Sequence, residues 1–153
     1  MRLTLHADYG LRVLIYLAMH PGRAVPTTEI GRAYGISKHH LVRVAQSLRD
    51  AGLVKLAVGR AGGLSLSRPA SAICAGEVVR ALEPDLRLVE CLHPKTNTCC
   101  IAPACGLKTP LRRAVDAFLA VLDGVTIAEV VESSGPKLGR HFLPTEGLAR
   151  RST

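Results

Sequence analysis

Residues 27–66 constrain the fold more than any other stretch, because two helical patterns and a hairpin pattern follow one another there. Apolar side chains recur at helical spacing in 27–34 and again in 38–51, with Gly35 in the short turn between them. Residues 54–66 alternate apolar and other side chains on either side of a glycine-rich tip, which is typical of a β-hairpin. A helix-turn-helix followed by such a hairpin predicts a winged helix, a fold that binds DNA.

The second helix of this unit, 38–51, separates an apolar inner face from a polar, mostly basic outer face. In a helix-turn-helix the outer face of that helix enters the major groove, and a basic hairpin tip reaches the backbone or the minor groove. An ordinary helical hairpin with a solvated face is the alternative, and the hairpin that follows favours the winged helix. We therefore expect DNA contacts from Thr28, Ser37, Lys38, His39, His40, Arg43, Gln46 and, on the hairpin tip, Arg60.

Positive charge is concentrated in the N-terminal half of the chain. Residues 1–68 carry ten Lys or Arg and three Asp or Glu, a net charge of +7, whereas residues 69–153 carry ten and nine, a net charge of +1. This asymmetry favours a polyanionic partner for the N-terminal half, namely double-stranded DNA. Charge alone does not exclude a merely soluble basic surface.

The remaining patterns complete a mainly α fold with a small β-hairpin wing. Helical patterns cover 75–83, 110–123 and 127–132, and the apolar stripe of 110–123 is longer than the core it could cover. We expect this long C-terminal helix to form a homodimer, with packing inside one subunit as the alternative. The predicted organisation is a winged helix-turn-helix DNA-binding domain over 1–84, a cysteine loop and dimerisation helix over 85–132, and a disordered basic tail over 133–153.

The segment from Cys91 to Cys105 holds four of the five cysteines and has neither a helical nor a strand period, so it is a loop. Disulfides, a zinc site and an iron–sulfur cluster are the three interpretations. Disulfides suit short secreted chains, and zinc usually takes two close cysteine pairs, which are absent here. Widely spaced thiolates fit the larger body of a cluster better. Cys74, outside the loop, is expected to be an inert thiol.

Other classes of protein are disfavoured. The N-terminus has no apolar secretory segment and no apolar run reaches membrane-spanning length, so we expect a cytoplasmic protein with no membrane association. No nucleophile–base pair, phosphate loop or carboxylate pair is recognisable, so an enzyme is not expected. A small electron-transfer protein would need four thiolates and no winged helix, and a metal-free thiol-switch repressor is a further alternative.

Taken together, several motifs resemble the Rrf2 family of winged-helix regulators over residues 1 to about 132. They are the segment Asp8–Arg12 (DYGLR), the helix-turn-helix, the Arg60–Leu66 run (RAGGLSL), the Arg68–Glu83 run ending in GEVVRALE, and the spacing C-x7-C-x5-C followed by Leu-Lys. Within the family the nitric-oxide-sensing repressors are the most similar. The combination is specific, although no single piece is.

The resemblance implies a homodimer with one iron–sulfur cluster per subunit, either [2Fe–2S] or [4Fe–4S]. It implies that the dimer binds operator DNA while the cluster is intact and releases the DNA when nitric oxide attacks the cluster. It implies Cys91, Cys99 and Cys105 as ligands, with Asp8 of the other subunit completing the site. The first cysteine interval is longer than in the members compared, and Cys100 could replace Cys99. A family member that senses iron–sulfur, iron or redox status instead of nitric oxide is the alternative.

Overall fold

The structure, a computed structural model, describes residues 2–57, 62–93 and 95–142. It is mainly helical with one antiparallel two-stranded hairpin, which confirms the predicted fold class. The elements are α1 (Leu5–Ala18), α2 (Thr27–Tyr34), α3 (Lys38–Asp50), β1 (Val54–Ala57), β2 (Gly63–Leu66), α4 (Ala75–Leu82), α5 (Lys108–Asp123) and α6 (Ile127–Phe142). Single turns of 3-10 helix cover Ala70–Ala72 and Glu90–Leu92. Within the described ranges no helix is both long and apolar enough to cross a bilayer.

Helix α1 is the centre of the core, and it packs against α3, α4, α6 and β2. Its apolar stripe, which includes Val13, Leu14 and Leu17, is almost completely shielded from solvent. Gly10 lets α4 approach, because a Cβ there would lie 2.1 Å from the Cδ1 atom of Leu82. The side chains that surround this stripe include Ile30, Leu41, Leu48, Leu64, Ile73, Val78 and Ile127, and each buried Leu or Ile stabilises the fold by about 1.5–3 kcal/mol.

The hairpin is fixed at its base. Val54 pairs with Leu66 and Ala57 with Gly63, and Val25 adds a short bridge to the second strand. Val25 and Leu64 exchange two backbone hydrogen bonds of 2.8 Å. A Cβ on Gly63 would lie 2.6 Å from the carbonyl of Val25, so this close approach requires glycine. The tip of the wing, 58–61, lies outside the described residues.

The C-terminal end differs from the prediction. The short helix predicted over 127–132 begins with a capping box, in which the Thr126 hydroxyl accepts from the Glu129 backbone N–H at 3.2 Å. It then continues as α6 to Phe142, with a non-helical break at Gly135 (φ 56°, ψ −157°). Residues 133–142 of the predicted tail are therefore helical on either side of the break at Gly135, and the predicted domain bounds stay a prediction. The rest of the predicted tail, 143–153, lies outside the described residues.

Candidate nucleic-acid interface and cysteine loop

The turn between α2 and α3 is tight because of two small residues. Gly35 ends α2 in the left-handed conformation (φ 65°), which a residue with a side chain rarely adopts. A Cβ atom on Gly31 would lie only 3.0 Å from the backbone carbonyl oxygen of Ile36. Ile36 is buried and closes the turn, and the Ser37 hydroxyl accepts a hydrogen bond of 3.4 Å from the backbone N–H of His40. Ser37 is thus the N-cap of α3.

Helix α3 is divided sharply between two faces. Leu41, Val44, Ala45 and Leu48 are buried against the core. The predicted DNA-binding residues on and around α3 are all exposed: Thr28, Ser37, Lys38, His39, His40, Arg43 and Gln46. Arg60 lies outside the described residues, so its predicted contact with DNA stays a prediction.

The cations on this face differ in what they contact. Arg49 is paired with Asp50, with an N–O distance of 2.8 Å. Lys38 and Arg43 form no ion pair with any residue in the described ranges. Their charges are therefore available for an external anion, as a DNA-binding helix requires.

A cleft beside α3, lined by both polar and apolar side chains, was missed by sequence reasoning. It lies between the start of α1 and the flank of α3 and has a cavity volume of about 560 Å³. His6 and Ser47 join its two walls, with a distance of 3.0 Å between Nε2 and Oγ. They are 41 positions apart, so no local motif connects them in the sequence.

Hydrogen bonds between Glu90 and Thr98, which we call the neck, close part of the cysteine loop. The Glu90 carboxylate accepts from the Thr98 hydroxyl at 2.6 Å and also from the Thr98 backbone N–H. The hydroxyl bond, supported by the backbone bond, holds the pKa of Glu90 below its usual range. Cys91 and Cys99 directly follow these two residues, so the neck brings together the chain segments that carry them.

All five cysteines are free thiols. Cys74, Cys91, Cys99 and Cys105 are half-buried, and Cys100 is exposed. Within the described residues no three His, Cys, Asp or Glu side chains come together closely enough to hold a metal ion. Thiols are donors that suit an iron–sulfur cluster. However, the described residues of one subunit in this arrangement do not form a complete site.

Asp8 lies on α1 and belongs to no group of three potential metal ligands among the described residues. Its carboxylate pairs with the Arg12 guanidinium one turn later, at 2.7 Å. The same guanidinium lies 5.8 Å and 5.9 Å from the ring centres of Tyr9 and Tyr34. Asp8 is 38% exposed, so its side chain remains accessible from outside the subunit.

Helix α5 follows the cysteine loop and has no buried residue in the single subunit. Its apolar stripe, Leu111, Val115, Phe118, Leu119 and Leu122, is only half-covered. Val121 is 69% exposed. An amphipathic helix of 16 residues with no buried side chain indicates an apolar face that a partner could cover.

A winged helix, an exposed basic recognition helix and a cysteine loop leading into a long uncovered helix define the class of winged-helix transcriptional regulators. A family model described as Rrf2, iron-dependent transcriptional regulator, matches residues 3–133, and the chain belongs to this family. The fold is shared with CymR of B. subtilis, described as the global cysteine regulator, at 30% identity and a TM-score of 0.70; the match covers 87% of this chain and 98% of that one.

Two further solved structures are similar. The oxidised form of CymR from Staphylococcus aureus is 29% identical with a TM-score of 0.69, over 86% of this chain and 97% of that one. IscR of T. potens is 25% identical with a TM-score of 0.72, over 90% of each chain. The predicted family is confirmed, and these relatives do not single out the nitric-oxide-sensing members.

Proposed function

We propose that this regulator is a homodimeric repressor that binds an operator through α3 and responds to a signal through its cysteine loop. The exposed outer face of α3 carries the proposal, because Lys38 and Arg43 are cations with no ion-pair partner among the described residues. Two copies related by two-fold symmetry through α5 would present two such helices to a pseudo-palindrome. Half-sites about one helical turn apart follow from that geometry.

We infer that the loop binds an iron–sulfur cluster through Cys91, Cys99 and Cys105, with Asp8 supplied by the other subunit. Free, half-buried thiols in a loop closed by Glu90 and Thr98 support this donor set, as does the iron-dependent description of the family. Such a cluster supplies iron that combines with nitric oxide, and the resemblance to the NsrR repressors makes nitric oxide the proposed signal. The protein's own contribution is to hold three thiolates on one short, tethered segment that leads directly into α5.

A metal-free thiol switch is the second candidate. Cys100 is exposed beside half-buried Cys99, and no three potential ligands are grouped in the described part of the chain. The similarity to a cysteine regulator, and to a relative crystallised in an oxidised form, favours it further. In this alternative, oxidation of loop thiols changes DNA affinity with no iron involved.

One set of measurements separates the candidates. The anaerobically purified dimer is analysed by native mass spectrometry, and its affinity for operator DNA is measured before and after addition of nitric oxide. Cys91→Ala, Cys99→Ala and Cys105→Ala should each lose iron and operator binding, whereas Cys74→Ala and Cys100→Ala should keep both. Iron-free protein whose DNA binding responds only to a thiol oxidant would establish the switch. If Cys100→Ala loses iron and Cys99→Ala keeps it, the ligand assignment is wrong.

A further inference from the structure

The cleft between α1 and α3 has partly apolar walls that also carry hydrogen-bonding groups and the positive charge of Arg43. His6 and Tyr9 line it from α1, and His40, Arg43 and Ser47 line it from α3. No aspartate or glutamate is among its lining residues. A cleft of this composition attracts an anion and repels a cation.

Two acidic groups close to the cleft already have partners, and one of them, Glu83, is bonded to Thr4 in the cleft wall. Glu83 accepts two hydrogen bonds at Oε1 from Thr4, one from the backbone N–H at 2.6 Å and one from the hydroxyl at 3.1 Å. Asp8 is paired with Arg12, which does not line the cleft. Arg43 has no ion-pair partner among the described residues, so its charge is not neutralised within the subunit.

The cleft walls are held in position. The 3.0 Å contact between His6 Nε2 and Ser47 Oγ joins the two helices. The His40 and Tyr9 rings, 5.9 Å apart between centres, close the cleft one turn away. His40, Arg43 and Ser47 recur at intervals of three and four residues, so they form one stripe of α3 that faces α1. This stripe forms the edge of the outer face of α3 that lies nearer to α1.

We propose that this cleft is a phosphate-binding site, occupied in the operator complex by a DNA backbone phosphate beside the half-site. A helix in the major groove has phosphates along both flanks, and contacts to them fix its position without reading sequence. The proposal rests on the proposed function and deepens it, since it makes Arg43 a phosphate contact, not a base contact. A free phosphate ester presents the same chemistry and is the other possible source.

The first arm of the test uses DNA. Affinities of the dimer for an operator duplex and for a scrambled duplex are measured over a series of salt concentrations. Arg43→Gln should weaken both complexes by the same factor and reduce the log–log salt slope by about 1.8, which is about 0.9 for one phosphate contact in each of the two subunits. His6→Ala should weaken binding to both duplexes equally, and His20→Ala, the matched change just beyond the C-terminal end of α1, should leave binding to both unchanged.

The second arm uses glycerol 3-phosphate and the DNA-free dimer, with binding followed by NMR. If the ester binds, shifts the signals of His6 and His40 and competes with DNA, the site is a phosphate site that a free ester fills. If Arg43→Gln lowers operator affinity alone, leaves the scrambled duplex and the salt slope unchanged, and the ester does not bind, the proposal is overturned. Wild-type protein that binds no duplex would refute the proposed function, and ester binding would then still decide the cleft.

Discussion

Arg80 and Asp123 form a bidentate ion pair that joins α4 to the end of α5. The two guanidinium nitrogens of Arg80 donate to Oδ1 and Oδ2 of Asp123 at 2.6 and 2.5 Å, and these bonds hold the pKa of the carboxyl below its usual range. Beside them, the Ala75 N–H donates to the Val125 carbonyl at 2.9 Å. Helix α4 and the end of α5 are thus joined by an ion pair and a backbone hydrogen bond, a contact that we call the α4–α5 joint.

Gly76 lies at the α4–α5 joint and should not tolerate a side chain. A Cβ there would lie 2.1 Å from Asp123 Oδ1 and 3.0 Å from the Asp123 backbone nitrogen, so both the ion pair and the backbone would have to move. We expect Gly76→Ala to destabilise the fold by about 1–3 kcal/mol in chemical denaturation, the usual cost of overpacking. It should also change which half-site spacing the dimer prefers, because α5 would leave α4 at a different angle.

Gly124→Ala is the control for this prediction. Gly124 follows Asp123 directly, but a Cβ there would make only ordinary contacts of 3.5 Å or more. Its φ of −77° suits any residue, so this variant should keep wild-type stability and spacing preference. Equal effects of the two substitutions would show that the close packing at Gly76 does not set the angle of α5.

Asp8→Ala tests whether the carboxylate acts across the dimer. We expect iron content to remain, held by three thiolates, while operator affinity falls and the rate of reaction with nitric oxide changes. Stability should change by only about 0.3–0.5 kcal/mol, since Asp8 and Arg12 are 38% and 42% exposed and surface pairs of this kind are weak. Arg12→Gln breaks the same ion pair and keeps the carboxylate, so it should leave operator affinity nearer to wild type.

If Asp8→Ala and Arg12→Gln weaken operator binding equally, the surface ion pair is what matters and Asp8 is not a ligand. If neither variant changes operator affinity or the response to nitric oxide, Asp8 is only part of a solvated helix face. Iron content, operator affinity and the rate of reaction are measured on the same anaerobic preparations, so that the three readouts can be compared directly.

The uncovered stripe of α5 should hold the dimer together. Val115→Glu places a charge in the middle of that stripe and should produce monomers in analytical ultracentrifugation, because an unpaired carboxylate is costly to bury. Ala120→Glu introduces the same charge on the exposed, opposite side of α5 and should leave the protein dimeric. A monomeric wild type, or a dimeric Val115→Glu variant, would place the subunit interface elsewhere.

Local patterns made most of the fold predictable. The bounds of α2 and the faces of α3 follow from apolar spacing and from Gly35, which are features of neighbouring residues. The His6–Ser47 contact and the α4–α5 joint depend on residues 41 and 43 positions apart, and nothing in either segment identifies its partner. The cysteine ligand set came from the resemblance to a family and not from local patterns, and its proposed fourth member belongs to another copy of the chain.

Glu29 provides a test of the fold's dependence on pH. Its carboxylate accepts from Arg23 at 3.0 and 2.5 Å and from the Tyr16 hydroxyl at 3.0 Å, which ties the start of α2 to α1. The Arg23 bond is the main cause that lowers the pKa of Glu29, with the Tyr16 bond adding to it. Burial is the main cause that raises the pKa of Tyr16, and the bond to Glu29 contributes.

A carboxyl whose pKa is lower in the folded than in the unfolded state stabilises the fold above its unfolded pKa. That contribution is lost as the pH falls through the lower, folded value. Glu29→Gln should therefore reduce the free energy of unfolding by about 1 kcal/mol or less at pH 7, because Arg23 is 47% and Glu29 34% exposed and solvent screens the pair. The difference from wild type should shrink as the pH falls below the usual range of a glutamate, and it should shrink in high salt.

Urea denaturation at several pH values measures this difference in the free energy of unfolding, with Asp116→Asn on exposed α5 as a control. A difference that grows toward acid pH would have the wrong sign for this pair.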